Sequence, residues 1–138
     1  FTASGAVGAV LSGWEGCSRT SGATCELDVR GEARVAARYR SSWLARFVSG
    51  SVRLRQSAIP IVADAADRLS AIGGGDAITV IGYSARGGAL ALRRAGEVRD
   101  LLRAAGVTAT ISVEGRISRA VPANRAKALI LVDWAVSP

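Results

Sequence analysis

From Ala77 onward the apolar and polar positions change period twice. Ala77 to Tyr83 is a nearly unbroken apolar run, short and rich in β-branched residues, and it predicts a central strand. Ala91, Ala95, Val98, Leu102 and Ala105 then recur at helical spacing, predicting a helix over about 88–105 that Gly106 closes. Its outer face carries Arg93, Glu97, Asp100 and Arg103, spaced for helix ion pairs worth a few tenths of a kcal/mol each. Val107, Ala109, Ile111 and Val113 alternate with Thr108, Thr110, Ser112 and Glu114, the pattern of a strand with one wet face. A loop over 115–126, with Pro122 and Asn124, leads to a last strand through Leu129–Trp134.

Upstream, Trp43, Phe47, Val48, Val52 and Leu54 predict a strand within 41–56. Pro60 suits a first helical turn, Val62, Ala66, Leu69 and Ile72 form a 3.6-period stripe, and Gly73–Gly75 stops it. The order over 41–138 is β-α-β-α-β-β, an α+β domain with a mixed sheet and two helices on one face. Residues 1–40 read differently. Leu27 and Val29 before Arg30-Gly31, and Val35, Ala37 and Tyr39 after it, alternate with charged residues as in a β-hairpin. Gly13-Trp14-Glu15-Gly16-Cys17 sets an aromatic between glycines, which suits a turn with Trp14 covering a small core. These residues predict a small all-β module ahead of the α+β domain.

Two cysteines, Cys17 and Cys25, flank a short polar loop. A disulfide there implies an oxidising, extracytoplasmic compartment; two reduced buried thiols are the other reading. With no histidine in the chain, a metal site has too few ligands and none is expected. Neither a nucleophile elbow nor a dinucleotide or phosphate-loop spacing is present, so neither enzyme activity nor a cofactor is expected. No charge-free run reaches the length of a membrane-spanning helix.

The net charge is +7, and of 18 Lys plus Arg only Lys127 is lysine. Such a balance fits an anionic partner, whether cell-wall polymer, nucleic acid or lipid headgroups. An arginine-favouring codon bias accounts for it equally. The arginines are scattered instead of clustered, which argues against nucleic acid. The sharper signal is local: a strand enters a helix through Gly87-Gly88, and the amides at such a helix start are unpaired and attract anions.

This segment resembles an OmpA-like peptidoglycan-binding domain, named for the C-terminal domain of outer-membrane protein A. The resemblance covers about residues 45–138. It is carried by Gly82-Tyr83-Ser84-Ala85, by Leu90, Arg94, Ala95, Val98 and Leu102, by Gly106-Val107, and by Pro122-Ala123-Asn124-Arg125. It implies an α+β fold and a clasp for the diaminopimelate of a stem peptide, in which an aspartate meets the ammonium and an arginine the carboxylate. Arg94 stands at the arginine position, but Ala85 stands at the aspartate position, and the intervening loop is shorter. Loss of one charge-assisted bond weakens binding by about one to two decades. The remaining candidates, Tyr83, Ser84, Arg86, Gly87, Gly88 and Arg94, form an anion-biased set. Residues 1–40 resemble a bacterial B-repeat of the internalin type, through Gly13–Cys17, Cys25 and Val35–Tyr39, which implies a spacer or adhesive stalk. The expected function is non-catalytic attachment to peptidoglycan or another anionic cell-wall polymer in the cell envelope. The alternative is a structural or assembly module that keeps the fold without the ligand, its partner being another envelope protein.

Overall fold

The computed structural model describes residues 9–26, 36–71, 77–119 and 126–136. Among these, seven strands and two helices follow in the order β1 (Ala9–Glu15), β2 (Arg19–Ser21), β3 (Thr24–Glu26), β4 (Ala36–Arg46), α1 (Ile59–Ala71), β5 (Ala77–Ser84), α2 (Gly88–Ala104), β6 (Ile111–Ile117) and β7 (Lys127–Val136). Five strands form one mixed sheet in the order β1-β4-β7-β5-β6, with β1 antiparallel to β4 and β5 parallel to β6, and β2 and β3 form a separate hairpin. The α+β class and the β-α-β-α-β-β order from β4 onward match the sequence expectation. The chain divides into two compact units, Phe1–Ser41 with Asp133–Pro138, and Ser42–Val132.

In the first unit, Cys17 and Cys25 are joined by a disulfide, and the Cys25 side of it is buried. The bond holds the β2–β3 hairpin, whose turn uses Gly22 at positive φ. Trp14 lies within β1, not in a turn: antiparallel pairing with Ala37 extends the backbone there, with a register shift between Leu11 and Gly13. Its indole Nε1 reaches the hairpin and donates to the Gly22 carbonyl at 3.2 Å. Tyr39 stacks on Trp134 with centroids 4.7 Å apart, and Trp134 Nε1 donates to Ser41 Oγ at 3.0 Å. The hairpin expected about Arg30-Gly31, with Leu27, Val29 and Val35, lies outside the described residues.

In the second unit, α1 and α2 lie against one face of the sheet. Val62, Ala65, Ala66 and Leu69 of α1 and Ala91, Ala95, Val98 and Leu102 of α2 are buried with Ile78, Val80, Ile130 and Val132 of the strands. Ile72, Gly73–Gly75, Pro122, Asn124 and Arg125 fall outside the described residues. Four expectations shift. The strand expected within 41–56 is the end of β4, which stops at Arg46; the chain then folds back so that Phe47 bridges Leu54. β6 begins at Ile111, not Val107, and runs on through Gly115–Ile117, which apolar alternation alone assigns to a loop. Ala105 is exposed, because α2 ends at Ala104. Asp100 pairs with its neighbour Arg99 at 3.1 Å, not with a residue one helical turn away.

Two glycines let α2 settle on β5 and β6. A Cβ on Gly82 would overlap the Ala91 carbonyl oxygen and the Ala95 amide; one on Gly115 would stand 2.8 Å from the Leu92 nitrogen and 3.0 Å from the Gly88 oxygen. Backbone cannot yield as a side-chain tip does. Gly82→Ala and Gly115→Ala are each expected to destabilise the protein by about 1–3 kcal/mol or more. Gly96→Ala, in the same helix with only Arg99 Nη2 at 3.6 Å, should stabilise by about 0.5–1 kcal/mol in urea unfolding. The disulfide closes so short a loop that Cys17→Ala/Cys25→Ala should cost about 2–3 kcal/mol in the same measurement.

Candidate functional site

β5 places Tyr83 and Ser84 on opposite faces, since side chains alternate along a strand. Ser84 is 1% exposed and lies on the helix side, where its Oγ accepts from the Arg86 amide at 3.0 Å and so shapes the turn into α2. Tyr83 sends its ring the other way. Lys127 Nζ sits 5.0 Å from the ring centroid, and Arg116 is its register partner on β6. The Glu114 carboxylate, with a smaller contribution from Tyr83, holds the Arg116 guanidinium above its ordinary pKa. Of Tyr83, only the backbone faces the turn.

Gly87, at φ +136, is the cap of α2, a conformation that favours glycine. It offers no side-chain cap, and the first turn from Gly88 contains no acid, so neither the cap nor the first turn neutralises the amides there. Arg86 is exposed beside them.

Arg94 is the largest fully buried side chain among the described residues, at 2% exposure. Its Nε donates to the Ser51 carbonyl at 2.9 Å and its Nη1 to the Tyr83 carbonyl at 2.8 Å, while its Cζ lies 5.5 Å from the Phe47 ring centroid. Burial lowers its pKa from the ordinary value, though an arginine stays charged at any physiological pH. Arg94 thus bolts the 47–54 fold-back to the end of β5. The fold-back itself is a tight turn: Gly50 has φ +70, Ser51 N donates to the Val48 carbonyl at 3.1 Å, and Val48 N to the Arg53 carbonyl at 2.8 Å.

Between the two turns is a cleft of about 150 Å³. Ser49 and Gly50 line one side, Ser84, Ala85 and Arg86 the other, with Leu90 and Arg94 from α2 and Ala126 completing it. Ser84, Arg86 and Arg94 therefore come together, Gly87 and Gly88 follow directly in the chain, and the Tyr83 ring stands apart. The charged lining residues are both cationic, and Ala85 occupies a wall position with no acceptor. Ser49 and Gly50 are absent from the sequence-based set. Their Ser-Gly-Ser turn signal is visible in the chain, but nothing local ties it to Ser84.

Solved structures share this arrangement of strands and helices. The OmpA-like domain of FopA1 from Francisella tularensis matches with a TM-score of 0.57 and 15% identity, covering 80% of this chain and 80% of that one. The fold is OmpA-like. The cell wall anchor of the T6SS from Pseudomonas aeruginosa matches at 0.51 and 23% identity, over 76% of this chain and 85% of its own. The peptidoglycan-associated lipoprotein from Burkholderia pseudomallei matches at 0.52 and 19%, over 70% and 90%. No protein-family profile and no curated protein matches the chain.

Arg94→Ala would strand two inward carbonyls and empty the seam below Phe47. It is expected to destabilise the OmpA-like fold by about 2–4 kcal/mol, against about 0.5 kcal/mol or less for the neighbouring exposed Arg93→Ala, as read by urea unfolding.

Proposed function

We propose that this chain is a non-catalytic cell-wall-binding protein of the cell envelope, holding an anionic group of peptidoglycan in the cleft between the 48–51 turn and the β5–α2 turn. The observation that carries this reading is the cleft's lining, which among the described residues has two cations, a helix start without acid, and no carboxylate. A stem-peptide carboxylate meets these requirements. Arg86 and the α2 amides supply the donors, and Arg94 supplies a fixed positive charge behind them. The similarity in fold to a cell wall anchor and a peptidoglycan-associated lipoprotein supports the choice of polymer. The disulfide supports an extracytoplasmic address. Residues 1–40 then act as a spacer, as their B-repeat resemblance implies.

The clasp is one-sided. With Ala85 in the cleft wall, an ammonium on the ligand meets no carboxylate among the described lining residues, so affinity rests on the ligand's own carboxylate. A second reading, a scaffold that keeps the fold without ligand, is favoured by one observation: two Arg94 donors are already taken by the Ser51 and Tyr83 carbonyls.

Co-sedimentation with purified insoluble peptidoglycan separates the two. Because Arg94 holds the fold, the informative variants are at exposed or wall positions. Arg86→Glu should weaken retention about tenfold or more, and Ala85→Asp should strengthen it by about one to two decades by restoring an acceptor. Retention should survive competition by DNA at moderate salt. Failure of the parent chain to sediment, or indifference to Arg86→Glu, would leave the scaffold reading.

A further inference from the structure

Apart from the cleft, the Ser42–Val132 unit has a groove of about 450 Å³ between the start of α1 and the end of α2. Leu54, Val62, Ala63 and Ala105 contribute to its lining, and two large apolar side chains there remain open: Ile59 at 57% exposure and Leu101 at 37%. Open apolar side chains gathered at a hollow offer a partner a place to bury them. The same lining carries one cation, Arg53, and one anion, Glu97, and neither has an ion-pair partner among the described residues.

The patch therefore combines a hollow, an open isoleucine, and a positive and a negative group that are both unpaired among the described residues. An acidic partner would leave Glu97 facing its like, and a basic partner would do the same to Arg53. A partner must offer an acid to Arg53, a base to Glu97 and an apolar knob to the hollow. The patch itself turned about a two-fold axis offers all three, since residue i of one copy meets j of the other and j meets i. We propose that this groove is the contact of a two-fold dimer of the chain. Ile59 of each copy enters the other's hollow, and Arg53 of each faces Glu97 of the other.

Sedimentation equilibrium of the 138-residue chain, from about 1 µM to about 1 mM, tests this. A reversible monomer–dimer equilibrium is expected. Arg53→Glu and Glu97→Arg, each at an exposed position, should separately weaken it by about tenfold to a hundredfold, and the double variant should recover the parent association. Ile59→Glu should abolish the dimer without lowering the melting temperature, and Leu101→Lys provides a second disruption on the opposite helix. The inference is overturned by a chain that stays monomeric across the range. A dimer that persists in both Ile59→Glu and Leu101→Lys, or a double charge reversal that associates no better than either single one, overturns it equally.

Discussion

A guanidinium without solvent must find acceptors, and in the larger unit that requirement falls on Arg94. It is 2% exposed, and it meets the Ser51 and Tyr83 carbonyls at 2.9 and 2.8 Å. Those two carbonyls belong to segments far apart in the chain, a fold-back after β4 and the end of β5. Leaving either unmade would cost the full desolvation of a charged group, so both are held in place. This one side chain spans the two turns that wall the cleft. Its chemistry follows as well, because the same cation that supports the walls biases the space between them toward negative groups.

Gly82 and Gly115 set the other half of the geometry. By allowing α2 to lie directly on β5 and β6, they bring the start of the helix to the strand end with only Ala85, Arg86 and Gly87 between. The turn is then too short to carry a ligand-gripping side chain of its own beyond Arg86. What it presents is mostly backbone: the helix amides and the Ser84-ordered turn. A cleft lined by cations and backbone is the natural product of a short turn and a buried arginine.

Much of the fold is legible in the chain because its signals are local. The stripe Val62, Ala66, Leu69 marks α1, Pro60 marks its start, and Ala91, Ala95, Val98 and Leu102 mark α2. Burial of Arg94 was also readable in principle: it lies three residues after Ala91 and four before Val98, within the apolar stripe. The outer-face ion pairs failed because exposed arginines choose among several nearby carboxylates at little energetic difference, as Arg99 does with Asp100. Trp14 and Gly115 were misread for a different reason. Glycine neighbours signal turns locally, but here pairing with β4 extends the backbone at Trp14, and close helix approach requires a glycine in β6.

The order of elements, the two cysteines within reach of one another and the alanine at position 85 were determined by the sequence itself. Period, turn residues and composition act over a few neighbours and need no partner. Only the tertiary structure decided that Ser49 and Gly50 complete the cleft, that the Tyr83 ring leaves it, and that Arg94 spends two donors on backbone. The reason is distance along the chain: Arg94 and Ser51 are 43 residues apart, and no local pattern records a bond that long-range packing alone brings within reach.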